Sequence, residues 1–201
     1  MKPILNLTLI LALLAATINA KAEIVPPDQM VKNVASGVLD VIRNDKDIQN
    51  GDMRKITELT EEKILPHFDF ERMSRVTLGK YWGQASAEQK TEFVKQFRTL
   101  ITHTYSSALS KYRDQVIEYK PFVALADDSD VKVKSLIMQT GGTAIPVDYL
   151  LEKGNEEWKV FDVNIDGISL VTTYRGQFAS IIRQNGMDEL IHALVEKNKS
   201  S

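Results

Sequence analysis

The chain contains no cysteine among its 201 residues, and histidine, glycine and proline are scarce, with 3, 10 and 6 residues. The absence of cysteine excludes disulfide scaffolds, iron–sulfur proteins, thiol enzymes and lipoproteins that are anchored through a modified cysteine. Basic residues are not in excess either, because 25 Lys+Arg against 27 Asp+Glu give a net charge of −2. This balance argues against a nucleic-acid-binding surface. With 43% hydrophobic and 26% charged residues, the composition is that of an ordinary globular domain.

One long hydrophobic run is present, and it lies at the amino terminus. Lys2 precedes an apolar stretch over residues 4–18, and a small-x-small pattern typical of a signal-peptidase site ends at Ala22. The run is shorter than the roughly 20 residues of a membrane-spanning helix, which favours a cleaved signal peptide, residues 1–22, over a membrane anchor. Cleavage is expected after Ala22, with Ala20 as the second choice. The exported product would have to fold without disulfides.

The remaining chain, residues 23–198, is predicted to form a single domain whose first part, 28–112, is helical. Asp28, Asp52 and Asp69 are suitable N-caps for successive helices. The longest helix is predicted to begin at the capping box of Ser86 and Gln89. Its apolar side chains recur at helical spacing and are Phe93, Phe97, Leu100, Ile101, Tyr105, Ala108, Leu109 and Tyr112. A stripe of this length requires a broad apolar partner surface.

Residues 115–165 show the alternation and the turn residues of β-strands. We predict strands over 116–123, 131–138, 145–151 and 158–165. Because short turns join successive strands, the strands should pair as an antiparallel meander. Helices on both sides of one meander indicate an α+β fold with about four to five strands, the sheet being curled around the long helix.

The last part of the chain, residues 167–198, is predicted to return to helix. Ile168 begins the apolar stripe of the first C-terminal helix, Gly186 ends that helix, and Asp188 begins a terminal one. The sequence shows no internal repeat and no low-complexity tract.

No signature of catalysis or metal binding is visible in the sequence. His67, His103 and His192 lack the i, i+4 spacing of a zinc-binding pair. The acidic turn at 127–130 lacks the later glycine and glutamate of a calcium-binding loop. Nucleotide-binding glycine motifs and the Gly-x-Ser-x-Gly nucleophile motif are also absent. The apolar interior that remains is compatible with an ordinary core and with a cavity for an apolar ligand, and periodicity alone does not separate the two.

A set of short motifs is spread in order over residues 28–195. The motifs are Phe68-Asp69-Phe70-Glu71-Arg72-Met73, Leu78-Gly79-Lys80-Tyr81-Trp82, Ser86-Ala87-Glu88-Gln89-Lys90, Phe93-Val94-Lys95-Gln96-Phe97, Thr104-Tyr105, Leu109-Ser110-Lys111-Tyr112, Trp158-Lys159-Val160-Phe161-Asp162-Val163, Gly167-Ile168-Ser169-Leu170-Val171 and Tyr174-Arg175-Gly176-Gln177-Phe178. Their order and spacing resemble the MlaC family of periplasmic phospholipid-binding proteins, also called toluene-tolerance auxiliary proteins. Ile168 stands where that family often has valine, a difference of one methylene.

The resemblance implies an NTF2-like curved sheet packed with a helical subdomain and enclosing an apolar cavity for phospholipid tails. It implies a monomeric, non-catalytic carrier in the periplasm of a Gram-negative bacterium, with phospholipid as cargo and no cofactor, metal or nucleic acid. The implied partners are an inner-membrane ABC transporter complex with an MCE-domain subunit and an outer-membrane lipoprotein–porin complex. Shuttling between them would maintain the lipid asymmetry of the outer membrane.

Within that cavity we expect three surfaces to contact the lipid. The predicted lining residues are Leu100, Ile101, Tyr105 and Leu109 from the long helix, Val133, Ile137, Val147, Tyr149, Leu151, Phe161 and Val163 from the strands, and Leu170, Val171 and Tyr174 from the returning segment. Arg175 is a candidate contact for the phosphate head group, because it follows a helix start where backbone amides favour anions. Two alternatives stay open: an NTF2-like enzyme that uses Asp162 or Asp148, and a lipid-free adaptor protein.

Overall fold

The computed structural model describes residues 24–200 apart from 110, 113, 114, 124, 126 and 140. The predicted signal peptide, residues 1–22, lies outside the described residues. Along the described chain, a helical part is followed by one antiparallel sheet and then by a long C-terminal helix. This order confirms the predicted α+β class.

The helices of the described chain are joined by short turns of other helical types. They are α1 (Pro27–Asn44), α2 (Lys46–Gln49), α3 (Met53–Leu59), α4 (Phe70–Leu78), α5 (Ala87–Leu109) and α6 (Leu170–Lys199). A π-helical turn (Thr60–Ile64) and a 3-10 turn (Leu65–His67) connect α3 to α4, and a second 3-10 turn (Gly79–Gln84) connects α4 to α5.

Side-chain caps fix the starts of three helices as predicted. Asp52 accepts hydrogen bonds from two backbone N–H groups at the start of α3, and Asp69 accepts one at the start of α4. Before α5, the backbone N–H of Gln89 donates to the Ser86 hydroxyl at 3.2 Å, while the Ser86 N–H donates to the Gln89 side chain at 2.9 Å. These bonds satisfy donors that a helix start otherwise leaves unpaired.

The start of α1 differs from the prediction. The helix begins at Pro27, whose missing N–H needs no partner at a first helical position. Asp28 therefore lies inside the helix, where its carboxylate pairs with Lys32 at 2.7 Å.

The sheet is a meander with the order β1-β2-β3-β4-β5, and all neighbouring strands are antiparallel. The strands are β1 (Val116–Tyr119), β2 (Asp130–Met138), β3 (Ile145–Lys153), β4 (Trp158–Ile165) and β5 (Ile168–Ser169). The prediction that the first strand extends to residue 123 is wrong. Pro121 has no N–H with which to continue the ladder.

The prediction that Ile168 begins a helix is also wrong. Asp166 and Gly167, with φ angles of 52° and 83°, form a two-residue hairpin turn. This turn places Ile168 opposite Ile165 as the first residue of β5. Helix α6 begins two residues later, capped by the side chain of Ser169.

A bulge in β4 changes the direction in which its side chains point. The register against β3 shifts so that Phe161 has no partner residue. Val160 and Val163 therefore lie on one face of the sheet although they are three residues apart. Phe161 packs among the helices instead.

The largest core, the helix cluster, is formed by α4, α5 and α6. The rings of Phe93, Phe97, Tyr174 and Phe178 lie 5.4 to 5.8 Å apart between α5 and α6, mostly edge to face. The apolar stripe of α5 is thus directed mainly at other helices. The expectation that the sheet curls around this helix is not met, and a different helix covers the sheet.

That helix is α1, which packs in two separate cores. Its first half buries Met30 and Val31 against the sheet. We call this core the sheet cluster; its other buried residues are Val133, Val147, Leu151, Trp158, Val160, Val163 and Leu170. Its second half buries Val38 and Ile42 against Ile48 of α2 and against Ile56 and Leu59 of α3, and we call this core the α1–α3 cluster. Gly37 lies between the two halves.

Helix α6 is kinked rather than straight. Gly186 has φ 88° and ψ 177°, which is not a helical conformation, so the predicted interruption at this glycine is confirmed. Within the described residues, no helix is both long enough and apolar enough to cross a membrane.

Candidate functional site

One face of the sheet is almost entirely apolar. The strand register brings together on it Ile117, Tyr119, Val131, Val133, Ser135, Ile137, Ile145, Val147, Tyr149, Leu151, Trp158, Val160, Val163 and Ile165. We call this the covered face. The same register also places the exposed Lys153 on this face, at the end of β3, and it is the charged residue among the strand residues there. The other residues carry no formal charge, and the Ser135 hydroxyl is satisfied by donating to the Val147 carbonyl at 3.1 Å. Such a surface can hold an apolar ligand without leaving a polar group unpaired.

Helix α1 occupies the covered face. Met30 and Val31 are buried in the sheet cluster, and the Nζ atom of Lys32 lies 5.6 Å from the centroid of the Tyr119 ring. The protein's own helix therefore covers part of the apolar surface, where Val133, Val147 and Leu151 are buried, while Ile137, Ile145 and Ile165 are only partly buried. A ligand that reaches the buried part must take the place of α1 or separate it from the sheet.

The tyrosine hydroxyls close to this face remain uncharged. Burial, reinforced by Tyr149, raises the pKa of Tyr119 to about 12. Burial also raises the pKa of Tyr149, although the Ser135 hydroxyl opposes the shift. The pKa of Tyr105 is raised by burial and, to a smaller extent, by Tyr174. These groups offer neutral hydroxyls rather than anions at neutral pH.

The opposite face of the sheet carries most of its charged side chains. Asp148 lies there beside Lys132, at 3.7 Å. Asp162 is buried and accepts hydrogen bonds from the Ser169 hydroxyl at 2.6 Å and from the Val171 N–H at 3.2 Å. Both carboxylates that a catalytic mechanism would need therefore point away from the covered face.

The predicted lining residues separate into groups. The sheet cluster contains Val133, Val147, Leu151, Val163 and Leu170, with Ile137, Tyr149 and Tyr105 packed against it. The helix cluster contains Leu100, Ile101, Phe161, Val171 and Tyr174. Leu109 packs against the α1–α3 cluster. The structure thus brings together the strand residues and Tyr105, which also contacts the helix cluster, and it places most of the helical residues elsewhere.

The contribution of α1 to this site is not among the sequence-based predictions. Met30, Val31 and Val34 contact the sheet cluster together with Trp158 and Val160. The apolar spacing of α1 was recognisable, but a helical stripe does not identify the surface that it contacts. A local signal was Gly37, a residue that is unfavourable inside a helix and lies between the two halves of α1.

Arg72 of α4 connects the helical part to the sheet. Its guanidinium donates to Asp130 of β2 at 2.7 and 2.6 Å and to Glu152 of β3 at 2.5 Å, and it lies 3.7 Å from the centroid of the Phe161 ring. Arg72 lowers the pKa of Asp130. Burial and the neighbouring Asp69 raise the pKa of Glu152 despite the arginine.

Arg175, the candidate head-group contact, lies exposed near the start of α6. Its guanidinium packs over Gly79, where a Cβ atom would lie 2.8 Å from Nη2. Gly79 follows the last residue of α4, and a cation is favourable beside the carbonyls at the end of a helix.

An open groove of about 680 Å³ adjoins the sheet cluster. It runs between α1, the π-helical turn and the β3–β4 hairpin. Its lining residues are Val25, Met30, Asn33, Val34, Gly37, Glu62, Lys63, His67, Glu156, Glu157 and Trp158. Within the described parts of the chain, no cluster of three or more histidine or acidic side chains is suited to hold a metal ion.

Comparison with known proteins gives matches over most of the chain. A family model described as MlaC protein matches residues 32–196. The intermembrane phospholipid transport system binding protein MlaC of Haemophilus influenzae is 30% identical over 188 residues, which are 92% of this chain and 87% of that protein. The toluene tolerance protein ttg2D of Pseudomonas putida is 28% identical over 164 residues, covering 81% and 75% of the two chains. A phospholipid-binding protein from Ralstonia solanacearum, solved in complex with a phospholipid, matches with a TM-score of 0.81 and 37% identity over 88% of this chain and 98% of that chain.

Proposed function

The chain belongs to the MlaC protein family, and on that premise we propose that it is a phospholipid carrier that binds the lipid tails on the covered face of its sheet. The observation that carries the proposal is the apolar covered face in a chain whose structural relative was solved with a phospholipid. The cargo is lipid, and the role requires no reaction.

The physical need for such a carrier follows from the solubility of acyl chains. Exposing a methylene to water costs about 0.8 kcal/mol, so a tail of about sixteen carbons costs on the order of 10 kcal/mol. A diacyl lipid costs roughly twice that. An uncharged protein surface that receives the tails offsets most of this penalty, while the head group can stay in contact with water.

We propose that the strand residues of the sheet cluster contact the tails. The residues assigned to this role are Val133, Ile137, Val147, Tyr149, Leu151 and Val163, together with Leu170 and Tyr105 at the edge. Leu100, Ile101, Phe161, Val171 and Tyr174, which pack in the helix cluster, would support this surface from behind.

Loading requires α1 to separate from the sheet. The first half of α1 covers the face that the tails would occupy, whereas its second half is held by α2 and α3. Movement of the first half about Gly37 would expose the face and leave the other two cores intact. A ligand can drive such a change only if it binds the open state more tightly than the closed one, and apolar tails satisfy this condition.

The proposed location and partners are those of a lipid shuttle. We propose that the chain is exported by its N-terminal signal peptide to the periplasm of a Gram-negative bacterium and acts there as a monomer. Its partners would be an inner-membrane ABC transporter complex with an MCE-domain subunit and an outer-membrane lipoprotein–porin complex. The name of the Haemophilus influenzae relative, which refers to an intermembrane phospholipid transport system, supports this context.

The decisive experiment is an organic extraction of the purified mature protein followed by mass spectrometry. We expect about one phospholipid per protein molecule. An extract without phospholipid, repeated after gentle purification, would overturn the carrier proposal and favour a lipid-free adaptor.

A further inference from the structure

We infer that the groove beside α1 binds the polar end of the carried lipid and selects a zwitterionic head group that bears a phosphate and a primary ammonium. This inference rests on the proposed function, because it assumes that the tails lie on the covered face. It concerns a different set of residues, which are polar and accessible in the structure as it stands.

The position of the groove fits the polar end of an amphiphile. Met30 and Trp158 belong both to the groove and to the sheet cluster, so the groove opens directly beside the covered face. Its other side is formed by Glu62, Lys63 and His67, which present charge and hydrogen-bonding groups. A molecule with its tails under α1 would therefore have its head group among these polar residues.

The groove offers charges of both signs that the protein does not use itself. Within the described parts of the chain, Lys63, Glu62 and Glu156 make no ion pair with another side chain. The Nδ1 atom of His67 is enclosed and lies 3.5 Å from Oε2 of Glu157, so this side chain is directed at a carboxylate of the protein itself. Glu157, in contrast, is held by Lys159 at 2.5 Å.

These groups match a zwitterion better than an anion. Lys63 can donate to a phosphate, while the carboxylates of Glu62 and Glu156 can accept from a primary ammonium. The carboxylates outnumber the cations around the groove, so a head group with a net negative charge is repelled. A quaternary ammonium, which has no N–H to donate, forms weaker contacts with the same carboxylates.

The shape of α1 leaves room for this ligand. Gly37 lines the groove, and a Cβ atom built at this position would have no heavy atom within 4 Å. A glycine inside a helix costs roughly 0.5–1 kcal/mol relative to alanine. Its presence where an alanine would fit is explained if the head group approaches the helix backbone there.

In the test, the mature protein is incubated with vesicles that contain equal amounts of phosphatidylethanolamine, phosphatidylcholine and phosphatidylglycerol. The three lipids carry identical tails. The lipid recovered with the repurified protein is then measured by mass spectrometry. Wild-type protein should retain the ethanolamine lipid in several-fold excess over the glycerol lipid. The double variant Glu62→Gln/Glu156→Gln should lower this ratio about two- to fivefold, because the charged acceptors for the ammonium are lost.

The matched control is Glu189→Gln, which removes an exposed carboxylate on α6 and should leave the ratio unchanged. A wild-type ratio equal to that of the vesicles would overturn the inference while leaving the carrier proposal standing. A ratio that the double variant does not change would also overturn it. Recovery of no lipid by the wild type would overturn both the inference and the proposed function.

Discussion

Arg72 on α4 holds Asp130 on β2 through two parallel hydrogen bonds of 2.7 and 2.6 Å. The same guanidinium donates to Glu152 and lies on the ring of Phe161. One side chain thus joins the helical part to three strands. It sets the position of the sheet relative to the helix cluster while α1 remains a separate cover.

Replacement of Arg72 should therefore destabilise the fold. Arg72→Lys keeps the charge but loses the paired geometry and the stacking on Phe161, and we expect a loss of about 1–3 kcal/mol in the free energy of unfolding. Urea denaturation measures this loss. Arg54→Lys, which changes an exposed pair with Glu58, is the control and should cost no more than about 0.5 kcal/mol. Equal effects of the two variants would contradict the assigned role.

The same contact should make stability depend on acidity. Arg72 lowers the pKa of Asp130 in the folded state. The ion pair therefore adds to the free energy of unfolding at pH values above the unfolded pKa of about 3.9, and this contribution is lost as the pH falls through the lower pKa of the folded state. Because Asp130 is half exposed, we expect a contribution of at most about 1 kcal/mol. The difference in unfolding free energy between wild type and Asp130→Asn should shrink between pH 6 and pH 3. A constant difference would show that this carboxylate has no altered pKa.

Two buried valines distinguish the covered face from the helix cluster. Val147 is 4% exposed in the sheet cluster and Val171 is 0% exposed in the helix cluster. Val147→Phe should leave a folded protein with less bound lipid, because the larger side chain fills a surface that separates from α1. Val171→Phe should cost about 1–3 kcal/mol of stability through overpacking without changing the lipid bound per folded molecule. Lipid phosphorus per protein and thermal unfolding are measured on both variants. If Val171→Phe loses lipid and Val147→Phe loses only stability, the roles assigned to the two valines are wrong.

A crosslink between α1 and the sheet should block loading. Cysteines replacing Lys32 and Tyr119, whose side chains are in contact, can be joined by a short bismaleimide in a chain that has no other cysteine. We expect lipid transfer between vesicles to fall at least about tenfold if this separation limits the rate.

The control for this crosslink joins cysteines replacing Lys32 and Ser36, which lie one turn apart on α1. It carries the same chemical modification but leaves α1 free to move and should transfer lipid normally. Unchanged transfer by the α1–sheet crosslink would show that the tails take another route.

Two glycines should respond in opposite ways to substitution. Gly37→Ala adds a methyl group in open space inside a helix and should raise the free energy of unfolding of the lipid-free protein by about 0.5–1 kcal/mol. Gly79→Ala should lower it, because Gly79 has a φ of 54° and its Cβ would meet the Arg175 side chain. Thermal unfolding gives the sign for each variant. A loss of stability in Gly37→Ala would mean that this position is strained.

Local signals in the sequence predicted much of the secondary structure. The capping side chains of Asp52, Asp69 and Ser86 mark helix starts, and β4 occupies the predicted residues 158–165. Each of these features depends on neighbours that are close in the sequence. The order of the strands in the sheet could be predicted as well, because short turns between successive strands leave few alternative ways to pair them.

The arrangement of the site depended on contacts that no local pattern contains. The apolar stripes of α1 and α5 both need a partner, and only packing decides that α1 takes the sheet while α5 takes α6. Alternation likewise predicts that Phe161 and Val163 point to the same face, and the bulge separates them. The groove charges at Lys63 and Glu156 come together from distant segments, so their proximity could not be predicted.

The bulge at Phe161 also bears on how the length of this strand can change over evolution. In a regular strand, an insertion or deletion of one residue exchanges the two faces of everything beyond it. Here the extra residue already separates Val160 from Val163 by three positions, so its deletion would restore plain alternation and keep both valines on the covered face. Length variation among relatives is therefore tolerable at this point of β4, whereas a change of one residue elsewhere in the strand would exchange its two faces.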